Sequence, residues 1–146
     1  MNKTILCFLF FTPLLTFSQT EPSSNPTNLR FRHITHWGFD VAFTRSSADS
    51  FLVLKSESLA TTAPVDGVKY QKGQWLGNAK IVSIAKADSF HVREVLENTQ
   101  YFITVYAYNA TAGSANYKQT SPLTGSITTP VSSPGNYYGS IGPSSP

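Results

Sequence analysis

The amino-acid sequence predicts an all-β protein, a seven-stranded antiparallel sandwich. Three observations carry this. Apolar residues recur with a period of two in several short runs, turn residues punctuate those runs, and no segment holds a helical period over ten residues. The 146 residues leave room for one domain of ordinary size. Many short strands without helices, over about 100 residues, suit two packed sheets.

The first run, Leu29-Arg30-Phe31-Arg32, alternates apolar and charged residues. Trp37 to Thr44 places Phe39, Val41 and Phe43 on one face, with Asp40, Ala42 and Thr44 on the other. Phe51 to Leu54 is apolar on both faces. Phe90, Val92 and Val95-Leu96 form a further short run. Tyr101, Ile103, Val105 and Ala107 then alternate with Phe102, Thr104, Tyr106 and Tyr108. Enrichment in Val, Ile, Phe and Tyr suits a pleated, half-buried surface. Ser46 to Ser50, Asp66-Gly67, Lys72-Gly73, Gly77-Asn78, Glu97-Asn98-Thr99 and Ala112-Gly113-Ser114 supply the turns.

The start of the chain argues for export. Lys3 precedes an apolar run from Ile5 to Phe17, and the small residues Thr16 and Ser18 stand at the exit. That order describes a secretory signal peptide over 1–18, cut after Ser18. The run is shorter than the roughly 20 residues a spanning helix needs, so no membrane anchor is expected after cleavage. Cys7, the only cysteine, lies within the apolar run, so the exported protein is expected to hold no thiol and no disulfide. Residues 19–26 read as a flexible Pro/Ser/Asn linker, 27–130 as the domain, and 131–146 as a Pro/Gly/Ser tail. Removing Lys3 from the eleven basic residues leaves ten against eight acids, scattered along the chain. That balance gives no nucleic-acid footprint.

The stretch from Leu96 to Asn109, with Tyr101 opening a strand of alternating residues that closes on Ala107-Tyr108-Asn109, resembles the end of a fibronectin type III domain. The resemblance implies an immunoglobulin-like sandwich with a tyrosine corner. There the Tyr101 ring would pack inward, its hydroxyl would bond backbone upstream, and Leu96 would plug the core beneath it. Pro26 to Leu29 resembles the family's first strand and Phe39 to Phe43 its second, with Phe43 where the family usually has tryptophan. Phe51 resembles the aromatic that opens the third. The resemblance covers roughly residues 26 to 130, and the variant resembles modules found in secreted bacterial enzymes and adhesins. One departure is the long connection from Glu57 to Asp88. A structureless loop of that length is improbable in a compact domain, so an extra hairpin or ribbon is expected there, using the strand-like Ile81 to Ile84.

Candidate chemistry is sparse. His33, His36 and His91 lack the ligand set that zinc requires, and no metal or cofactor is expected. Glu94, Glu97 and Asp88 suit a solvated edge better than the paired carboxylates of a glycosidase. No serine sits in a G-x-S-x-G pattern, and no glycine run has phosphate-loop spacing. Asn109-Ala110-Thr111 is a formal glycosylation acceptor, with a structural role for Asn109 as the competing reading.

The informative surface is aromatic. If Tyr101, Ile103, Val105 and Ala107 point inward, then Phe102, Tyr106 and Tyr108 point outward beside Leu52 and Leu54. Such a patch is either a docking face or is covered by the insertion, through Val68, Tyr70, Trp75 and Leu76; cover is favoured. Tyr70 and Trp75 remain candidates for rings presented to a ligand. The expected function is a secreted, non-catalytic binding or spacer module. Its partner would be a protein domain or an extracellular polysaccharide. The alternative is the N-terminal part of a secreted hydrolase or nuclease, since Asn136 to Ile141 resembles the opening of endonuclease I-type catalytic domains.

Overall fold

A computed structural model describes residues 20–111 and 114–132. The expected signal peptide and the Asn136 to Ile141 motif lie outside the described residues. The described chain forms nine strands: β1 Thr27–Thr35, β2 Gly38–Thr44, β3 Ser50–Ser56, β4 Trp75–Leu76, β5 Ala79–Ala85, β6 Ser89–Val92, β7 Gln100–Thr111, β8 Ser114–Tyr117 and β9 Leu123–Thr128. They build two antiparallel sheets. One has the order β1-β2-β6; the other runs β4-β5-β3-β7-β8, with β9 also pairing β7. Two differences raise the strand count above seven. The long connection adds the short strand β4 beside β5, and the last strand is split into β8 and β9 by residues 118–122.

The period-two pattern places the main core between the sheets. Phe39, Val41 and Phe43 of β2 face Phe51 and Val53 of β3 and Tyr101, Ile103, Val105 and Ala107 of β7, all buried. Phe43 meets Phe51 edge to face at 5.0 Å, so a phenylalanine pair fills the core at the end of β2. The second strand starts at Gly38, one residue later than the run beginning at Trp37 predicts. A Cβ at Gly38 would meet the Val92 carbonyl and His91 Nε2, both at 2.8 Å, so only glycine allows β2 to begin this close to β6.

The outer face of the second sheet carries a second core. Leu52 and Leu54 are fully buried there, with Tyr106, Ile81, Ala115 and Tyr117. The cover is the segment 57–74, which contains no strand. Ala60, Tyr70 and Leu76 pack on this face. Polar stitches hold the strap against β8: Gly67 N–H donates to the Ala115 carbonyl at 2.7 Å, and Tyr117 N–H donates to Asp66 Oδ1 at 2.8 Å. The Tyr117 hydroxyl donates to the Val68 carbonyl at 2.9 Å, and burial pushes its pKa up. The strap thus buries an apolar face and satisfies part of a sheet edge at once.

The segment read as a flexible linker is instead pinned. Pro22 and Pro26 are buried, and the Asn25 side chain fills the gap between β8 and β9. Its Oδ1 accepts from Ala107 N–H at 2.9 Å. Its Nδ2 faces the carbonyls of Thr120, Ser121 and Lys118 at 2.9, 3.1 and 3.2 Å. An asparagine amide here replaces the missing backbone partner of a split strand.

Candidate binding pole

Strand registers decide which loops share an end of the sandwich. Thr35 pairs Gly38, Ser56 pairs Phe102, Gln100 pairs Thr128, and Trp75 pairs Lys80, which pairs Lys55. The β1–β2 turn, the end of β3, the β4–β5 ribbon, the β6–β7 loop and the exit from β9 therefore gather at one pole. Five of the eight exposed large apolar side chains among the described residues stand on these segments: Trp37, Leu59, Trp75, Leu96 and Val131, each 56–67 % exposed.

Trp75 and Leu96 flank a cleft of about 390 Å³ with Lys55, Ser56, Glu57 and Tyr101 inside it. Tyr101 forms the inner wall. Its hydroxyl accepts the Leu96 N–H at 2.8 Å, five residues upstream, which pins the β6–β7 crossover. Leu96 does not plug the core beneath it. The β6–β7 loop turns Leu96 outward, and its neighbour Val95 packs on the main core instead. Nor is Val95-Leu96 strand, since β6 ends at Val92.

Lys55 enters the cleft from β3 and is buried. Its ammonium lies 5.0 Å from the Tyr101 ring centre and donates to the carbonyls of Glu94 at 2.6 Å and Arg93 at 3.3 Å. Burial lowers its pKa, and the nearby Lys80 ammonium adds to the effect. Lys80 pairs with Glu94 at 2.9 Å. That bond holds the Glu94 carboxyl below its usual range. Glu97 accepts the Ser132 N–H at 2.7 Å and is likewise lowered.

The ribbon that presents Trp75 is built locally. Gly77 adopts φ 59°, where a side chain would be strained and its Cβ would strike Thr62. Asn78 accepts from Thr61 N–H at 2.9 Å and donates to Ser58 Oγ and the Leu59 carbonyl, tying the turn to the strap.

The other residues singled out from sequence fall elsewhere. Tyr106 is buried at 5 % in the second core, so it is no interaction surface. Tyr70 and Tyr108 are half-buried against Tyr117, at ring distances of 5.9 and 5.1 Å. The Tyr70 hydroxyl accepts from Val65 N–H at 3.0 Å, which leaves the ring part of the cover. Phe102 is half-buried on β7. Trp75 is largely exposed and Val68 partly so, and neither shares the covering that Tyr70 and Leu76 provide.

His33 and His91 meet at Asp40, each Nδ1 being 2.6 Å from one carboxylate oxygen. These bonds lower the Asp40 pKa, His91 having the larger effect. His36 lies apart, near Glu97. Among the described residues no group of three or more ligating side chains is placed to hold a metal ion. Asn109 donates to the Thr20 carbonyl at 2.9 Å and accepts from Asp49 N–H at 3.2 Å, so its amide is engaged at the opposite pole.

No protein-family model matches the chain, and no curated protein matches it. Solved structures do. A β-sandwich protein from a computer-based redesign superposes with a TM-score of 0.52 at 16% identity, over 75% of this chain and 93% of that one. The sixth fibronectin type III domain from human fibronectin type III domain containing protein 3 gives 0.51 at 13% identity, over 88% and 97%. The twitchin kinase region from C. elegans (Fn31-NL-kin-CRD-Ig26) gives 0.51 at 12% identity, over 76% of this chain and 17% of that one. Identities this low establish the fold alone.

Proposed function

We propose that this chain, which has the fibronectin type III fold, is a non-catalytic binding module of an exported protein and takes its ligand at the Trp75–Leu96 pole. The observation that carries this is the segregation of exposed apolar side chains. The two sheets and the strap bury the large apolar residues of both cores. Trp37, Leu59, Trp75, Leu96 and Val131 nevertheless stand in water at one end. Exposed apolar surface gathered into one region of a domain is the kind of surface that interaction sites use.

The test uses the tryptophans. The chain has two, Trp37 and Trp75, and both are at this pole. Intrinsic fluorescence is therefore a direct reporter of occupancy. A ligand bound here shifts the emission, and Trp75→Ala abolishes binding. That variant is expected to unfold within about 0.5 kcal/mol of the parent, because an exposed ring contributes little to the fold. A loss of several kcal/mol would place Trp75 in the core and sink the reading. For export, the mass of the protein recovered from culture medium should match a chain beginning at Gln19.

A second reading has one observation in its favour. The chain leaves β9 at this same pole, where Ser132 bonds Glu97. A domain following it in an exported hydrolase or nuclease would be delivered against Leu96 and Val131. Recovery of these peptides within a much larger secreted species would favour that arrangement.

A further inference from the structure

The cleft does not end at Lys55. A second groove of about 310 Å³ continues from it along the open side between β5 and β6, sharing Lys55, Lys80 and Glu94 with the first. Four cations, Lys55, Lys72, Lys80 and Arg93, line this groove against one carboxylate, Glu94. The balance of charge is uneven in detail as well. Lys55 spends its hydrogen bonds on two backbone carbonyls, and Lys80 is the partner of Glu94. Among the described residues neither Lys72 nor Arg93 pairs with a carboxylate. Three ammonium groups, those of Lys80, Lys55 and Lys72, act together on the Glu94 carboxylate. Cations held this close repel one another, and a second anion in the groove would relieve that repulsion.

The four basic residues are far apart in sequence and come together only because β3, the ribbon and β6 end side by side. Arg93 brings a planar fork suited to a carboxylate or sulfate, while Lys72 brings a mobile point charge on the Gly73 turn. One end of the groove opens into the cleft flanked by the exposed Trp75 ring. A flat apolar ring beside a row of cations matches a chain whose units alternate between an apolar sugar face and a negative charge.

We propose that the groove binds the acidic groups of an anionic polysaccharide, with a neighbouring sugar ring laid on Trp75. This rests on the binding-module reading above and names its ligand class. An acidic peptide offers charge without the repeating ring face, and is therefore the competing outcome of the test.

The probes are oligogalacturonate, which carries carboxylates, a sulfated oligosaccharide, a neutral oligosaccharide of the same length, and polyglutamate. Each is titrated into the full chain, with tryptophan emission and calorimetry as readouts. Oligogalacturonate or the sulfated glycan should bind, and which of the two binds tighter identifies the acidic group. Binding should weaken at least tenfold between about 0.05 and 1 M salt, as screening shortens the reach of each charge. Lys72→Ala and Arg93→Ala should each weaken it several-fold while leaving thermal unfolding unchanged, and Trp75→Ala should remove the emission change. Equal, salt-insensitive binding of the neutral glycan would overturn the anion site while leaving the binding pole in place. Tighter binding of polyglutamate than of either acidic glycan would overturn the assignment to a polysaccharide. Calorimetric binding of an acidic glycan that survives Lys72→Ala, Arg93→Ala and Trp75→Ala would refute both the groove and the pole.

Discussion

Replacing Asn25 by alanine tests whether the segment before β1 is part of the fold. Where β8 gives way to β9, residues 118–122 leave the edge and β7 faces a gap between the Tyr108–Tyr117 and Val105–Leu123 pairs. Ala107 is fully buried there, and its N–H finds its acceptor in the Asn25 amide at 2.9 Å. Alanine would strand that donor, at about 1–3 kcal/mol, and would forfeit the bonds to Thr120 and Ser121, at about 0.5–1.5 kcal/mol each. Partial rewetting of the exposed carbonyls offsets some of this, so the expected net loss is about 2–4 kcal/mol. Urea unfolding followed by circular dichroism measures it, with the midpoint falling and the slope unchanged. Asn25→Asp is the companion variant. It keeps an oxygen for Ala107 but sets a carboxylate against three carbonyls, and should be at least as destabilising. A loss below about 0.5 kcal/mol for Asn25→Ala, the range of ordinary surface substitutions, would refute the reasoning. It would mean that the lead-in is as loose as its Pro/Ser/Asn composition suggests.

Two other perturbations separate structural from surface roles. Tyr101→Phe keeps the ring but removes the acceptor for Leu96 N–H, and should cost about 1–2 kcal/mol in the same unfolding assay. Because that bond also anchors the loop carrying Leu96, ligand affinity at the pole should fall in the same variant. Asp40 tests the acid limb. Its pKa is depressed in the folded protein by His91 and His33. Its contribution is therefore complete above the unfolded carboxylate range and is lost as the pH falls through the depressed folded value. Asp40→Asn should flatten the decline of melting temperature below about pH 4, and an unchanged acid limb would show that the two histidine bonds contribute nothing to stability.

Much of the fold was legible because its signals are local. Alternation in β2 and β7 follows from the pleat itself, so Phe39, Val41, Phe43, Ile103 and Val105 could be assigned inward from the sequence alone. Tyr101 could be placed because a strand start, a turn and a ring five residues past the Leu96 amide lie in one short segment. Periodicity says which side of a sheet a residue faces. It cannot say what lies beyond that side. Whether Tyr106 meets water or Leu76 depends on a strap whose path is fixed by contacts between Asp66, Gly67 and β8, some 50 residues away in sequence. The same limit hid Asn25, whose partners lie more than 80 residues downstream. It also hid the choice of Val95 over Leu96 for the core, since a turn carries no period to read. The basic groove is the clearest case. Lys55, Lys72, Lys80 and Arg93 look scattered along the chain, and their charges acquire a common field only when strand register sets them around Glu94. Sequence determined the strands whose residues alternate, β2 and β7 above all, and their inward faces, because backbone geometry acts between neighbours. Tertiary structure decided which outward faces are covered and where charge accumulates, because those depend on distances between segments the chain order keeps apart.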